Sequence, residues 1–262
     1  MSDVDSQELQ LADHSEWKID GQPHLRASDR RSFTRLAYCS SRNSQQLSTH
    51  IVKLLPMKAS KSQCEQFERQ AYVALRLFVA EETTVGCRLD SAQPILVYPR
   101  LRGSRADDWF YSQADWAARP HWISLGQSLL LQLASLHKLG YAHGQIRPEH
   151  VWIGEAGEVN LLGLGNCQPV GSRLTTRMET DRFDPPETRF ATFEVSSAQD
   201  IYSAAVVIDL ISGGLFSKSP IGRCMQAIDP YDRPISCELV QLFESYRVEL
   251  EGNFVVPAMR AA

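Results

Sequence analysis

Cysteine and histidine are the side chains in this chain that could build a disulfide framework or a metal site. The sequence contains six cysteines and seven histidines. The cysteines are scattered without close-spaced pairs, which is typical of reduced thiols in the cytoplasm. The histidines show no metal-ligand spacing, either among themselves or with the cysteines. The sequence therefore predicts no bound metal, no disulfide and a cytoplasmic location. The cysteines are Cys39, Cys64, Cys87, Cys167, Cys224 and Cys237.

Basic side chains that could bind a phosphate or a nucleic acid form one cluster, Arg26, Arg30, Arg31 and Arg35. The chain as a whole carries a net charge of -4 and has no dense Lys/Arg run. This balance argues against nucleic acid as a partner. A solvated loop face accounts for the four arginines.

The longest apolar stretch, Trp122–Leu139, contains Gln127, Gln132, His137 and Lys138. These polar side chains would be costly inside a bilayer. The stretch therefore predicts a buried helix, with His137 as an ordinary helix residue, and the chain is expected not to insert into a membrane.

Strand patterns dominate the first hundred residues. Alternating and β-branched residues predict strands over Arg31–Cys39, His50–Leu55 and Pro94–Leu101. A helical period predicts a helix over Ser62–Phe78. Its apolar face consists of Phe67, Ala71, Ala74, Leu75 and Phe78.

The second half of the chain is mainly helical. Trp122–Leu139 should end at Gly140. The short apolar runs Val151–Ile153 and Val159–Leu162 flank a glycine-rich turn and predict a hairpin. Gln199–Ser212 is almost wholly apolar, which predicts a central buried helix.

The segment Ala142–Val151, A-H-G-Q-I-R-P-E-H-V, resembles the catalytic loop of protein kinases, H-R/G-D-x-K-P-E-N. Other kinase-like motifs occur in the family's order over about Leu25 to Val240, and their joint spacing makes the resemblance specific. It implies an α+β, bilobal protein-kinase-like fold with a small strand-rich N-lobe and a larger helical C-lobe. The other matches are His50–Lys53 (V-A-I-K), Leu161–Gly165 (D-F-G), Asp184–Glu187 (A-P-E), Asp200–Ser203 (the start of the central helix) and Asp229–Pro234 (D-P-x-x-R-P).

The resemblance implies that the residues with structural roles are kept. His143 corresponds to a histidine that packs in the core, and Asp200 to an aspartate that braces the catalytic-loop backbone. Glu187 and Arg233 correspond to a buried ion pair.

The residues that do chemistry in the family are replaced. Gln145 stands where kinases have the aspartate that accepts the substrate proton, and loss of a general base costs about 10²–10⁴ in rate. Gly163 replaces the magnesium-binding aspartate of D-F-G. His150 replaces the asparagine that also binds the metal, and magnesium prefers oxygen ligands. No catalytic residue and no metal site are therefore expected.

The nucleotide-binding parts also differ from the family. No glycine lies between Pro23 and Cys39, where a phosphate-binding glycine loop would sit. Lys53 is retained, but Gln70 stands at the position of its glutamate partner. Glu68 should face away, since two helical residues turn by about 200°.

The adenine site is predicted to be blocked. Ile51 replaces a small alanine above the adenine, and Trp152 replaces a leucine below it, so a planar ligand would be excluded. Tyr98 falls at the gatekeeper position, and Leu101 could still donate its amide. Arg147 stands at a phosphate-contacting lysine position, where an ion pair with a neighbouring carboxylate is the favoured interpretation. The remaining cleft residues Lys53, Leu101 and Arg147 are thus vestigial, and no cofactor is expected.

These observations predict four segments along the chain. Residues 1–20 would form a flexible tail, 21–101 the kinase-like N-lobe, 102–250 the kinase-like C-lobe and 251–262 a C-terminal tail.

The leading hypothesis is a pseudokinase, not an enzyme, that acts as a regulatory or scaffolding module. It would bind another protein through the C-lobe and the activation-segment region, where Thr175, Thr176 and Thr180 could be modified. Two alternatives remain open. One is an unorthodox phosphotransferase or nucleotidyltransferase that uses Glu149, Glu155 or Asp181. The other is a kinase-fold sensor that binds a small anion through Lys53, Arg147 and the Arg26–Arg35 group.

Overall fold

A computed structural model shows a mixed α and β protein with small antiparallel sheets and, in its described part, six α-helices. The chain divides into two compact units, Met1–Arg102 with Leu164–Asn166, and Gly103–Gly163 with Cys167–Ala262. Only the backbone is described at 8–10, 18–19, 35, 41 and 247–253. The structure describes residues 8–10, 16–19, 35–41, 49–77, 86–90, 93–112, 121–174, 181–190 and 192–253.

The first unit contains a six-stranded sheet and one long helix. The elements are β1 (Glu8–Gln10), β2 (Glu16–Ile19), β3 (Arg35–Ser41), β4 (His50–Leu54), α1 (Lys61–Leu77), β5 (Gly86–Arg88) and β6 (Ile95–Pro99). All the pairings are antiparallel, in the order β1-β2-β3-β4-β6-β5.

Side chains alternate between the two faces of this sheet. Ala37, Val52 and Val97 lie in register on neighbouring strands and belong to one buried apolar cluster. Residues one position along the strands point to the opposite face. Lys53 is on that second face, with Leu96 opposite it on β6.

The prediction of a flexible tail over residues 1–20 is wrong for β1 and β2. Trp17 on β2 is 4% exposed and packs its ring against His50 with ring centroids 4.5 Å apart. Burying one large aromatic side chain stabilises by about 2 kcal/mol, which contributes to the ordering of β2. The missed signal is the alternation Glu16-Trp17-Lys18-Ile19, which has the period of a strand.

Helix α1 begins one residue before the predicted start. Ser60 and Gln63 form a capping box, in which Ser60 N donates to Gln63 Oε1 at 2.8 Å and Gln63 N donates to Ser60 Oγ at 3.3 Å. Phe67, Ala71 and Ala74 are buried, which confirms their predicted place on the apolar face of α1. Leu75 is only half-buried, and Phe78 lies outside the described residues.

The described part of the second unit carries the other helices and three small sheets. Its helices are α2 (Ala106–Ser112), α3 (His121–Lys138), α4 (Ser197–Ile211), α5 (Pro220–Met225) and α6 (Ser236–Asn253). Its strands are β7 (Ser104–Arg105), β8 (Tyr141–Ala142), β9 (Val151–Ile153), β10 (Val159–Leu161), β11 (Gln168–Pro169), β12 (Arg173–Leu174) and β13 (Phe193–Glu194). The predicted hairpin is confirmed, because β9 pairs with β10 and places Val151 opposite Leu161.

The core of this unit lies where α3, α4 and α6 meet. Gly126 of α3 allows the close approach, since a Cβ atom there would lie 2.8 Å from Phe243 Cε1 of α6 and 3.4 Å from Ile208 Cδ1 of α4. Helix α3 ends before Gly140, whose φ of 80° suits glycine. None of the described helices has the length and apolar character of a transmembrane span.

Candidate functional site

Asp200 of α4 fixes the start of the segment between β8 and β9, which we call the 143–150 loop. Its Oδ2 accepts from His143 N at 2.6 Å and its Oδ1 accepts from Gly144 N at 2.9 Å. The carboxylate is 1% exposed. Two backbone donors therefore hold a buried negative charge, and they orient the loop in return.

His143 is fully buried below the loop and is a neutral imidazole. A carbonyl only accepts, so Nε2–H donates to Leu162 O at 2.7 Å, and Nδ1 accepts from Gln145 N at 3.3 Å. Burial lowers the pKa of His143 to about 4, although Asp200 acts in the opposite direction. His143 thus has a structural role at neutral pH.

Gln145 and His150 are joined across the loop. His150 Nδ1–H donates to the main-chain oxygen of Gln145 at 2.8 Å, and His150 is 8% exposed. The main-chain oxygen of His150 accepts from Leu162 N at 2.7 Å, which ties the loop to the end of β10. His150 therefore stabilises the loop through its Nδ1 and its main-chain oxygen.

Gly163 follows β10 with a backbone that favours glycine. Its φ is 75°, in the left-handed region that L side chains avoid. A Cβ atom there would lie 2.9 Å from His150 Cδ2 and 3.0 Å from His150 Nε2. Both the backbone conformation and the neighbouring imidazole disfavour a side chain at this position.

Arg147 is held by two carboxylates of the segment before the 186–189 turn. Its Nη1 lies 2.5 Å from Asp181 Oδ2, and its Nη2 lies 3.2 Å from Asp184 Oδ1. Asp184 also accepts from Asp181 N at 2.8 Å. The expected ion pair with a neighbouring carboxylate is thus formed twice. These contacts leave Arg147 less available for an external anion.

Glu187 and Arg233 are brought together as a bidentate pair, with distances of 2.6 Å and 2.8 Å. The Arg233 side chain is 0% exposed and also donates to Ala227 O, Ala198 O and Ile228 O. One buried guanidinium therefore connects the 186–189 turn, the start of α4 and the chain before α6.

Sequence reasoning missed a polar chain behind the loop. His137 Nε2 lies 3.0 Å from Asp200 Oδ2, and His137 Nδ1 lies 3.0 Å from Ser236 Oγ. A Ser-His-Asp chain can serve acyl transfer, but Ser236 is only 5% exposed. These hydrogen bonds therefore connect α3, α4 and α6 inside the unit, and His137 is not an ordinary helix residue.

In the first unit, Lys53 and Gln70 are brought together. Lys53 Nζ donates to Gln70 Oε1 at 2.7 Å, and Gln70 Nε2 donates to Tyr98 Oη at 2.5 Å. Gln70 is 6% exposed, whereas Glu68 is exposed as expected. The partner of the lysine is thus a neutral amide.

The 3-10 turn Leu164–Asn166 packs on α1 within the same unit. Gln66 Nε2 donates to Gly165 O at 2.7 Å. A Cβ atom on Gly165 would lie 3.3 Å from Gln70 Oε1, so the turn also approaches the Lys53–Gln70 contact.

The residues predicted to block the adenine site are each half-buried in their own unit. Ile51 lies on β4 of the first unit, between Tyr38 of β3 and Tyr98 of β6. Leu101 follows β6. Trp152 lies on β9 of the second unit, opposite Asn160 and Arg105.

The carboxylates of the transferase alternative differ in their surroundings. Glu155 is exposed in the hairpin turn, Asp181 pairs with Arg147, and Glu149 Oε2 is buried without a hydrogen-bond partner in the described part of the chain. Within the described ranges, no three His, Cys, Asp or Glu side chains converge as metal ligands.

Thr175, Thr176 and Thr180 lie outside the described residues, and so do Arg26, Arg30 and Arg31. Of the basic cluster, only the backbone of Arg35 is described.

Comparison with models of known protein families gave no match, and comparison with curated protein sequences gave none either.

Proposed function

We propose that this chain is a catalytically inactive protein-kinase-like protein that works by binding another protein in the cytoplasm. The two units would correspond to the N-lobe and the C-lobe of a bilobal kinase-like fold. The proposal rests on the resemblance of the sequence motifs and on the way their residues are used.

The observation that carries the proposal is a contrast around the 143–150 loop. Asp200, His143 and the Glu187–Arg233 pair make complete sets of buried contacts. The position that would need a general base holds the amide of Gln145, which has no useful basicity. The position that would need a metal ligand holds Gly163 at a φ of 75°.

The contacts of Lys53 and Arg147 support the same proposal. In a working kinase, the retained lysine is aligned by a carboxylate and holds nucleotide phosphates. Here Lys53 donates to the Gln70 amide, and Arg147 is paired with Asp181 and Asp184. Lys53 thus has a neutral partner where a kinase uses a carboxylate, and the charge of Arg147 is balanced internally, which favours a binding role over catalysis or anion sensing.

Incubation with labelled ATP, in magnesium or in manganese, tests the proposal. We expect no label transfer to the protein or to generic substrates, and no melting shift at millimolar Mg-ATP. A ligand at 100 times its dissociation constant would raise stability by about 2.7 kcal/mol, which a melt detects.

The matched control is Lys53→Ala, with its melting temperature recorded to show that it is folded. Transfer by the wild-type protein that Lys53→Ala abolishes would overturn the proposal and would favour the transferase alternative.

A further inference from the structure

We infer that residues 227–238, which comprise the loop between α5 and α6 and the start of α6, are a docking surface for a positively charged protein segment that carries apolar side chains. We call this segment the 227–238 loop. The inference rests on the binding half of the proposed function and names where and what the chain binds.

The 227–238 loop exposes three large apolar side chains. Tyr231 is 95% exposed, Ile228 is 83% exposed and Ile235 is 53% exposed. Single exposed apolar residues are ordinary, whereas exposed apolar side chains that are grouped together mark interaction sites. Tyrosine in particular is enriched among residues that contribute most to binding.

The backbone that presents these side chains is held from below. Arg233 donates from Nε to Ala227 O at 2.9 Å and from Nη2 to Ile228 O at 3.2 Å. Its charge is balanced by Glu187 at 2.6 Å. The buried side chain of Arg233, which follows Tyr231 in the sequence, therefore holds the backbone that precedes Tyr231.

Local hydrogen bonds fix the tip as well. Asp229 Oδ1 accepts from Tyr231 N at 2.9 Å and caps the 3-10 turn Pro230–Asp232. Glu238 Oε2 accepts from Ile235 N at 3.4 Å. A loop ordered before binding loses little conformational entropy when a partner docks.

The charge of the loop selects the partner. Asp229, Asp232 and Glu238 are exposed, and no cationic side chain of the described chain pairs with them. Their negative charge disfavours nucleic acid and anionic lipid surfaces. The apolar side chains disfavour a partner that is only ionic. A basic protein segment with aromatic or aliphatic side chains complements both features.

The test uses the full chain and a random peptide library as the probe. Selected peptides should be enriched in Lys or Arg together with large apolar residues. Tyr231→Ser should weaken their binding by at least about tenfold. Asp229→Asn, which keeps the oxygen that caps the turn, combined with Asp232→Asn should weaken binding and flatten its dependence on salt.

Tyr111→Ser is the matched control, because Tyr111 of α2 is 78% exposed and lies outside the loop. It should leave binding unchanged. The inference is overturned if no peptide is selected, if the peptides are acidic or neutral, or if Tyr111→Ser weakens binding as much as Tyr231→Ser.

The proposed function has a separate readout. If the protein transfers phosphate from ATP and Tyr231→Ser still weakens peptide binding, the inactive-kinase proposal fails and the docking surface stands. If there is no transfer and Tyr231→Ser leaves peptide binding unchanged, the docking surface fails and the inactive-kinase proposal stands.

Discussion

The guanidinium of Arg233 lies 2.6 Å and 2.8 Å from the two carboxylate oxygens of Glu187, fully removed from solvent. Removal of one partner leaves the other charge buried, which typically costs about 3–5 kcal/mol. We therefore expect Glu187→Ala to lower the free energy of unfolding by about this amount. Denaturant unfolding measures it.

An exposed ion pair provides the control for this prediction. Lys61 and Glu65 lie 3.8 Å apart with side chains 93% and 55% exposed. Such pairs contribute about 0–1 kcal/mol, so Glu65→Ala should be nearly neutral. Equal losses in Glu187→Ala and Glu65→Ala would contradict the structural role assigned to Glu187.

Replacing Gly163 with alanine should lower the free energy of unfolding through two effects. The left-handed backbone should cost about 1–2 kcal/mol, and the contact with His150 at 2.9 Å should add to that cost. Gly171→Ala isolates the first effect, since Gly171 has a φ of 85° and no atom within 4 Å of its added Cβ. Thermal unfolding should show Gly163→Ala as the less stable variant, and the reverse order would rule out the contact with His150.

Introducing the residues that active kinases carry should not confer activity. The triple variant Gln145→Asp, His150→Asn, Gly163→Asp supplies the base and the metal ligands of the kinase motifs. It should fold better than Gly163→Asp alone, because His150→Asn removes the nearby imidazole. We still expect no label transfer from ATP, since catalysis by positioning requires a bound nucleotide. Robust transfer would show that Ile51 and Trp152 do not block the site.

His143 predicts a loss of stability in mild acid. Burial lowers its pKa from 6.5 to about 4 in the folded chain, so between these values the unfolded chain binds a proton that the folded chain does not. The stability contributed by neutral His143 is therefore lost as the pH falls from 6.5 towards 4, by about 3 kcal/mol.

A variant without a titrating side chain isolates this effect. The stability of wild type relative to His143→Gln should decline over this pH range, as measured by denaturant unfolding at several pH values. His121→Gln, at an exposed position, should keep the wild-type pH dependence. A parallel pH dependence for wild type and His143→Gln would refute the assignment of His143 as a buried neutral imidazole.

Gln70 should tolerate a carboxylate better than an apolar side chain. In Gln70→Glu, an oxygen can still accept from Lys53 and the other can accept from the Tyr98 hydroxyl, so stability should change by less than about 1 kcal/mol. Gln70→Leu removes both hydrogen bonds and should cost about 1–3 kcal/mol. Similar unfolding midpoints for the two variants would show that the polar contacts of Gln70 add nothing to stability.

Periodic patterns in the sequence predicted the regular elements well. The helix predicted over Ser62–Phe78 is observed at Lys61–Leu77, and the apolar segment Gln199–Ser212 contains most of the buried helix Ser197–Ile211. The hairpin around Gly154–Gly157 is also present. These successes share a cause, because each signal lies within a few turns or a single strand pair.

Contacts between single polar residues far apart in sequence could not be predicted. The His137–Ser236 contact joins residues separated by 99 positions. Neither residue interrupts the apolar period of its helix, so nothing local marks the contact. The Lys53–Gln70 pairing could be anticipated only through the resemblance to kinases. The contact of Gln70 with the Tyr98 hydroxyl is visible only in the structure.

Gly126 has a consequence for the motions available to the second unit. Helices often adjust to a ligand by sliding along one another, and such shear needs a smooth contact. At Gly126 the ring of Phe243 and the side chain of Ile208 occupy the space that a side chain would fill. Sliding α6 along α3 by one residue would bring a neighbouring side chain of α3 against that ring. The three helices should therefore move as one body, and conformational changes of this unit should be concentrated in its surface loops.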